Sequence, residues 1–449
     1  MTARGEFSSR FGFLMAASGS AIGLGNIWGF PTNAASNGGA AFLLVYLLLV
    51  FGLAYPALMA ELIIGRHAQA NAVRALQGLA TGPASRRVGT LVGLAGIVTV
   101  SLILSFYAII GGWMLAWTLE APASLLGLPA ASDWLRADSV GRNALFDILF
   151  MSLTILIIMA GVREGIEKWG TRLMPSLVVI LLLLIVYVMT LDGAMDGLAA
   201  YLIPDFNRIL DPGLIISALG QAFFSLSLGV GTMLIYGSYI SQRESLSTVG
   251  WMVAALDSSF AFLAGLLILP AMYVALASGV EIFDANGGLA AGPGLIVAVL
   301  PALFDTMGTA GVLVSFAFFV LMSIASLTSS ISMLEVPVAY AVETFDVTRH
   351  RATAVIGSLI TLISLGIVLN FGLLFDLVVT LTTEFSQPLL GLFFAVFVGW
   401  IWHRNGVLEE LRKGHAGVEH TLFWKLWPFY IRYICPLAIL AVYVQLIFL

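Results

Sequence analysis

Two apolar stretches of this chain are each interrupted by small and polar residues whose backbone groups could bind ions and a charged substrate. The interruptions are residues 19–26 (GSAIGLGN) and residues 225–231 (SLSLGVG). Because hydrocarbon offers no hydrogen-bond partners, a membrane helix unwinds only where its freed backbone groups line a cavity. Freed carbonyls attract cations, and the positive ends of helix fragments attract carboxylates. The pattern therefore predicts a binding site near the middle of a membrane.

The composition excludes a soluble globular domain and predicts an integral membrane protein in contact with lipid. Of the 449 residues, 60% are hydrophobic and 10% are charged, whereas soluble domains hold about 25% charged residues. The net charge of −5 comes with no run of basic residues, so we expect no nucleic-acid partner. Cys435 is the single cysteine, which excludes a disulfide within the chain.

Windows of about 20 apolar residues, the length that crosses a bilayer, predict membrane spans throughout the chain. Lys and Arg concentrate at the amino end and in alternate loops, which the positive-inside rule assigns to the cytoplasm. We expect a cytoplasmic amino terminus and an outside carboxyl terminus. Eleven spans are predicted, near 11–34, 39–65, 88–120, 144–161, 170–191, 214–240, 248–276, 309–342, 352–371, 375–402 and 422–448.

The spans form two groups of five within a single transmembrane domain, residues 1–449. The first group covers 11–191 and the second covers 214–402, and an interrupted helix opens each group. An odd number of spans per group gives the two groups opposite orientations, which is the inverted-repeat architecture of many transporters. Span 422–448 is then an accessory helix. The predicted fold is an all-α integral membrane protein.

Two other classes of function fit the sequence less well. The sequence contains no HExxH, GxSxG or paired-cysteine motif, which argues against an enzyme. Interrupted helices also build the filters of channels. A carrier is distinguished from a channel by saturable, substrate-accelerated exchange.

Four segments resemble the signature segments of the neurotransmitter:sodium symporter family, which has the LeuT fold. They are GSAIGLGNIWGFP (19–31), NGGAAFLLVY (37–46), GQAFFSLSLGVG (220–231) and SLTSSISMLE (326–335). The resemblance runs from Arg4 to about Trp402. It implies a 5+5 inverted repeat with broken first and sixth helices, in the eleven-span form of the shorter bacterial members. The implied function is sodium-coupled import by alternating access.

The resemblance implies two sodium ions, each held by backbone carbonyls and short polar side chains. One site takes the carbonyls of Gly19, Ile22 and Ala325 and the hydroxyls of Thr328 and Ser329. The alternative for the two hydroxyls is a bond back to the preceding turn of their own helix, which is common for Ser and Thr in membrane helices.

The second implied ion site takes the Ala21 carbonyl, the side chains of Asn26, Ser225 and Asp257, and a carboxylate oxygen of the substrate. An acidic residue inside a span is costly unless it is paired, so Asp257 is a strong functional candidate. The alternative is an Asp257 that only accepts hydrogen bonds from Ser258 or Ser259.

Asp257 also bears on the anion requirement. Chloride-dependent relatives keep an uncharged ligand at this position and bind an anion with the counterparts of Tyr46, Gln221 and Ser225. A fixed carboxylate at Asp257 would balance the charge of sodium, so chloride is not expected as a cofactor.

The resemblance also implies the class of substrate. Relatives that carry monoamines have an aspartate where this chain has Gly23, which leaves room for a substrate carboxylate. A neutral, hydrophobic L-amino acid fits best, and a zwitterionic osmolyte or an amino sulfonate is the alternative. The implied carboxylate ligands are Gly23, Gly25 and Tyr107, the implied ammonium ligands are carbonyls around Ala21, Phe224 and Ser227, and the implied side-chain pocket is Ser20, Ile103, Phe224, Val230, Ser329 and Met333.

Other readings of the pocket residues stay open. Ile103, Val230 and Met333 could instead face lipid or pack against helices, and Tyr107 could be an ordinary structural tyrosine. The preferred amino acid, the sodium stoichiometry and the choice between monomer and homodimer also stay open.

The gates above and below the site differ in how well they match the family. The outer ion pair is missing, because Gly29 and Val379 occupy the positions of its arginine and its acidic partner. The inner gate is implied by Arg4, Tyr239 and Glu343. Two further acids inside spans, Glu61 and Glu335, match positions that lock helices beside the interruptions.

Overall fold

A computed structural model describes residues 5–204, 206–283 and 299–448, and the described chain is almost entirely helical. Eight of its helices are individually long and apolar enough to cross a membrane. The main helices are α1 (Arg10–Ala21), α2 (Gly25–Ser36), α3 (Ala40–Ala68), α4 (Pro83–Leu125), α5 (Val140–Met159), α6 (Val162–Val188), α7 (Pro212–Ser225), α8 (Thr232–Gly237), α9 (Leu246–Ala277), α10 (Gly308–Phe345), α11 (Arg349–Leu369), α12 (Phe371–Ile401), α13 (Leu422–Phe429) and α14 (Cys435–Phe448).

The number of spans agrees with the prediction only in part. The pair α1 and α2 is bent by 54° and raises the count of spans in the described residues to nine. The sixth predicted span consists of the short helices α7 and α8, and the last consists of α13 and α14 joined by a π-helical turn. The eleven-span count and the boundaries of the two repeats therefore stay predictions.

The first interruption lies where the sequence predicts it. Ser9 caps α1 by accepting a hydrogen bond from the Gly12 amide at 3.0 Å. Helix α1 ends at Ala21, and the next residue, Ile22, has an extended conformation. The chain resumes at Gly25 with a π-helical turn that continues into the rest of α2. Such wide turns are rare and frequently occur at functional sites.

The second interruption separates α7 from α8. Ser227, Gly229 and Gly231 all have positive φ angles, of 52°, 84° and 79°, a conformation that L-residues other than glycine rarely adopt. A Cβ at Gly229 would lie 2.0 Å from the Gln387 carbonyl oxygen, so the segment packs directly on α12. The Gly229 amide donates to Glu61 Oε1 at 2.7 Å. Glu61 thus holds the unwound segment, as its position in the sequence predicts.

The long helices surround the two interruptions. Helix α10 packs along α4 and also contacts α1 and α8. Because α4 and α10 carry Tyr107 and Ser329, this packing brings both side chains to the interruptions. Short helices also lie between predicted spans, at Pro129–Arg136 and Leu300–Thr306, while 284–298 lies outside the described residues.

One buried ion pair fastens the predicted cytoplasmic side. Arg66, at the end of α3, is fully buried and donates from Nε to Glu410 Oε1 at 2.7 Å. It also donates to the Glu410 carbonyl and, at 2.6 Å, to the Glu244 carbonyl. His67 and Lys413 contact the other oxygen of Glu410. The short helix Arg404–Arg412 and the loop after α8 are thereby fixed to α3.

The environment of Glu410 determines how this fastening depends on pH. Burial acts to raise the pKa of Glu410, but hydrogen bonds from His67, Lys413 and Arg66 lower it by a larger amount. The net effect is to lower the pKa from 4.5 to about 2. A carboxyl whose pKa is lower in the folded state stabilises the fold when ionised. This stabilisation is complete above pH 4.5 and is lost as the pH falls toward about 2.

We expect Glu410→Gln to lower the stability of the folded protein by about 3 kcal/mol, because it leaves the buried Arg66 charge unpaired. Thermal unfolding of the purified protein in detergent measures the change, and the difference from wild type should shrink as the pH falls below 4.5. Glu409→Gln, which neutralises the exposed neighbouring acid, is the control and should have little effect. Equal unfolding temperatures for the two variants would show that the pair contributes nothing.

Candidate functional site

A central cavity lies between the two interruptions, α4 and α10. The structure brings every residue of the predicted substrate site to its wall. Ile103, Val230 and Met333 line this cavity rather than face lipid. Their role in binding stays a prediction. The predicted residues that line it are Ser20, Ala21, Gly23, Gly25, Ile103, Tyr107, Phe224, Ser227, Val230, Ser329 and Met333.

Four further residues line the cavity and were missed by the sequence analysis: Leu24, Val100, Thr232 and Gln387. Val100 precedes Ile103 by three residues on α4, so helical spacing could have identified it. Gln387 lies on α12, far from any predicted substrate residue in the sequence, and no motif marks it.

At one end of the cavity the first interruption meets α4. The Leu24 amide donates to the Tyr107 hydroxyl oxygen at 3.2 Å, and the Gly23 amide donates to Asn26 Oδ1 at 3.3 Å. A Cβ at Gly23 would lie 2.5 Å from Ser329 Oγ and 2.8 Å from Tyr107 Oη. Only glycine fits at position 23, so the space beside it is kept open.

The residues of the first predicted ion site lie together where α1 meets α10. Ser329 Oγ donates to the Gly19 carbonyl at 3.3 Å. A Cβ at Gly19 would lie 3.1 Å from Thr328 Cβ. Thr328 Oγ1 lies 3.0 Å from the Ala325 carbonyl oxygen, which is the back-bonded arrangement of the alternative. Ile22 directly follows the end of α1.

The residues of the second predicted ion site surround Asp257, which is fully buried in α9. Asn26 Nδ2 donates to Asp257 Oδ1 at 2.7 Å, and Ser225 Oγ donates to Oδ2 at 2.8 Å. The Tyr46 hydroxyl donates to Oδ2 at 3.4 Å. Ala21 lies at the end of α1, in the wall of the central cavity. The carboxylate thus has three polar partners, all from other helices.

The alternative in which Asp257 serves only its neighbours in α9 is wrong. Ser258 Oγ donates to the Ala254 carbonyl at 2.8 Å, and Ser259 Oγ donates to the Ala255 carbonyl at 2.7 Å. Both hydroxyls therefore bond back to their own helix. Gln221, whose counterpart binds an anion in chloride-dependent relatives, donates in this chain to the Gly25 carbonyl at 2.8 Å.

The donor atoms of these two clusters are carbonyl, hydroxyl and amide oxygens with one carboxylate. Hard cations prefer oxygen ligands of this kind. In the described part of the chain no three His, Cys, Asp or Glu side chains are grouped as metal ligands. The clusters are chemically suited to sodium.

A wider outer cavity lies beyond Tyr107 and Phe224, which it shares with the central cavity. Gly29 and Val379 both line it, so the two positions of the missing ion pair face one space. Asp376 and Glu384 also line this outer cavity. The two aromatic side chains form the boundary between the outer and central cavities.

The predicted inner-gate residues Tyr239 and Glu343 lie in two polar clusters. Tyr239 Oη donates to Glu335 Oε1 at 2.6 Å, and Arg349 donates to both oxygens of Glu335. The Glu343 carboxylate accepts hydrogen bonds from the Asn71 amide and side chain, each at 2.9 Å. Arg4 lies outside the described residues.

Comparison with known proteins gives one consistent result. The model of the sodium:neurotransmitter symporter family matches residues 4–138 and 135–448. An uncharacterized sodium-dependent transporter of Bacillus subtilis (strain 168) is 36% identical and aligns over 98% of this chain and 97% of its own length. A sodium- and chloride-dependent taurine transporter of Bos taurus is 28% identical over 74% of this chain and 59% of its own length.

Among solved structures, the chain is similar to MhsT in complex with L-phenylalanine. The two are 38% identical with a TM-score of 0.83, and the match covers 99% of this chain and 100% of that chain. This similarity gives the LeuT fold to the helices described above. The chain therefore belongs to the sodium:neurotransmitter symporter family and is a sodium-dependent multi-pass membrane transporter, not an enzyme.

Proposed function

We propose that the chain imports neutral, hydrophobic L-amino acids together with sodium across the bacterial cytoplasmic membrane. The observation that carries this proposal is the central cavity, where no charged side chain is present among the described lining residues. A substrate buried there must bring compensating charges of its own, as a zwitterion does, and carry an uncharged side chain. The similarity to a protein that binds L-phenylalanine supports the same class.

An amino sulfonate such as taurine is the second candidate, favoured by the similarity to taurine transporters. Taurine has no side chain to fill the wall formed by Val100, Ile103, Val230 and Met333. Filling an apolar wall contributes about 0.8 kcal/mol for each buried CH₂ group. The wall therefore favours an amino acid with a large apolar side chain.

We assign one sodium ion to the oxygens of Gly19, Ile22, Ala325, Thr328 and Ser329. The second lies among Ala21, Asn26, Ser225 and Asp257 and is completed by the substrate carboxylate. Asp257 supplies a fixed negative charge at this second ion, so the proposed transporter needs no chloride.

Alternating access requires the two ends of the site to close in turn. On the outside, closure rests on Tyr107 and Phe224, because Gly29 and Val379 offer no ion pair. On the inside, Tyr239 and Glu343 belong to the polar clusters that must open. Arg4 is a further proposed member of this inner gate. The proposed orientation has the amino terminus in the cytoplasm and the carboxyl terminus outside.

Uptake of L-phenylalanine into proteoliposomes tests the substrate class and the first ion site. We expect uptake to require an inward sodium gradient and to be inhibited by L-leucine far more strongly than by taurine. Thr328→Ala combined with Ser329→Ala should abolish uptake, because it removes both hydroxyl ligands. Ser326→Ala is the control, since Ser326 bonds back to the Met322 carbonyl of its own helix. Equal uptake in sodium and in choline, or stronger inhibition by taurine, would contradict the proposal.

Replacing chloride with gluconate tests the role of Asp257. We expect wild-type uptake to be unchanged, whereas Asp257→Ser should make uptake depend on chloride, because an anion must then balance the sodium charge. Asp376→Asn, in the outer cavity, is the matched control and should stay insensitive to chloride. If gluconate stops wild-type uptake, Asp257 does not replace the anion.

Restoring the outer ion pair tests the aromatic closure. We expect Gly29→Arg with Val379→Asp to slow turnover and outward release of substrate, because the new pair holds the outer cavity closed. Gly29→Arg alone should lower turnover more than the double variant. A Cβ at Gly29 would lie 3.2 Å from Gln221 Oε1, and the new cation has no designed partner. Exchange rates of the two single variants and the double variant give the coupling energy, expected at about 0.5–1 kcal/mol. A coupling of zero would show that the two positions do not meet.

A further inference from the structure

The serine and threonine hydroxyls in the wall of the central cavity already donate hydrogen bonds within the protein. Each serine or threonine hydroxyl in this wall donates its hydrogen bond to another protein atom, at distances from 2.7 to 3.3 Å. A hydroxyl has one proton, so these groups have no donor left for a substrate side chain. The residues concerned are Ser20, Ser227, Thr232 and Ser329.

Gln387 differs from these side chains, because its amide oxygen is an acceptor that lacks a hydrogen-bond partner among the described residues. Its side chain is 4% exposed, and Oε1 has no hydrogen-bond partner in the described part of the chain. A buried amide oxygen without a partner costs about 1–3 kcal/mol. A buried polar atom of this kind at a binding cavity calls for a ligand that supplies the missing donor.

The backbone around Gln387 is built to hold the residue at the cavity. The π-helical turn Thr380–Ser386 ends directly before it, and such turns frequently occur at functional sites. The Gln387 carbonyl lies against Gly229, where a Cβ would approach to 2.0 Å. Because Gly229 adjoins Val230, this contact places Gln387 at the end of the cavity formed by the second interruption.

The opposite end has different chemistry. There Gly23, Leu24 and Tyr107 surround the space that we assign to the substrate carboxylate. A substrate with its carboxylate at that end directs its side chain along Ile103 and Val230 toward Gln387. Ile103 and Val230 are apolar, and the serine and threonine hydroxyls of the wall already donate their protons within the protein.

We propose that Gln387 selects substrates by accepting a hydrogen bond from the far end of their side chain. The matching substrates are amino acids with a large apolar side chain that ends in an O–H or N–H donor, such as the phenol of tyrosine or the indole of tryptophan. This inference rests on the proposed amino-acid transport. It adds that phenylalanine, which lacks the donor, leaves the Gln387 oxygen unpaired and binds less tightly than tyrosine.

Sodium-dependent binding of three probes to the purified full-length chain tests the inference. The probes are L-phenylalanine, L-tyrosine and O-methyl-L-tyrosine, which keeps the shape of tyrosine but lacks the donor. We expect tyrosine to bind about three- to tenfold more tightly than the other two, the effect of one hydrogen bond. In Gln387→Met, which keeps the length of the side chain without the amide, the advantage of tyrosine should disappear. Gln387→Asn, which withdraws the amide by one methylene, should do the same and serves if the first variant does not fold.

Ser386→Ala is the control, because Ser386 adjoins Gln387 but donates to the Leu381 carbonyl of its own segment. This variant should keep the preference for tyrosine. If phenylalanine binds with sodium but tyrosine binds no more tightly, the inference is wrong and the proposed function stands. The same holds if tyrosine still binds more tightly than phenylalanine in the Gln387 variants. If none of the probes binds with sodium, the proposed function itself is wrong, and the inference fails with it.

Discussion

The structure depends on one constraint, which is that the backbone groups freed at the two interruptions must be satisfied without water. Helix backbone in hydrocarbon cannot be left unpaired, because each free group costs several kcal/mol. At the first interruption the Tyr107 hydroxyl accepts from the Leu24 amide and Asn26 accepts from the Gly23 amide. At the second, Glu61 accepts from the Gly229 amide. Side chains from three parts of the sequence thus maintain a break that would otherwise close into a helix.

The same constraint governs the buried charges. Asp257 receives hydrogen bonds from Asn26, Ser225 and Tyr46, and Glu335 receives them from Tyr239 and Arg349. Both carboxylates are fully buried, so each depends on partners outside its own helix. A helix that moves during transport must therefore carry its partners with it or exchange them. This requirement links the positions of the helices to the state of the charges at the site and at its inner end.

Glycine and small polar clusters in the sequence predicted the two interruptions, and the resemblance to the symporter family supplied the residues that line the central cavity. Glycine clusters mark backbone that cannot stay helical, and the spacing of Ile103 and Tyr107 places both on one face of α4. Gln387 was missed because its position at the cavity results from a π-helical turn and from contact with Gly229, neither of which has a local signal. Arg66 and Glu410 were missed for a similar reason, since their pairing joins residues 344 positions apart. The predicted span count and the count from the structure differ where helices are short, because hydropathy does not show where an apolar stretch breaks.

Asn26 connects the two halves of the proposed site. Its side-chain oxygen accepts from the Gly23 amide at the end assigned to the substrate carboxylate. Its nitrogen donates to Asp257, in the cluster assigned to sodium. The side-chain amide has one oxygen and one nitrogen. If binding of an ion or of a substrate carboxylate reorients Asn26, its hydrogen bonds to both Gly23 and Asp257 therefore change together. An ion that draws the Asn26 oxygen toward itself releases the Gly23 amide for a carboxylate, and the carboxylate in turn completes the shell of the ion. Sodium and substrate would then bind more tightly together than apart, which is the coupling that a symporter requires.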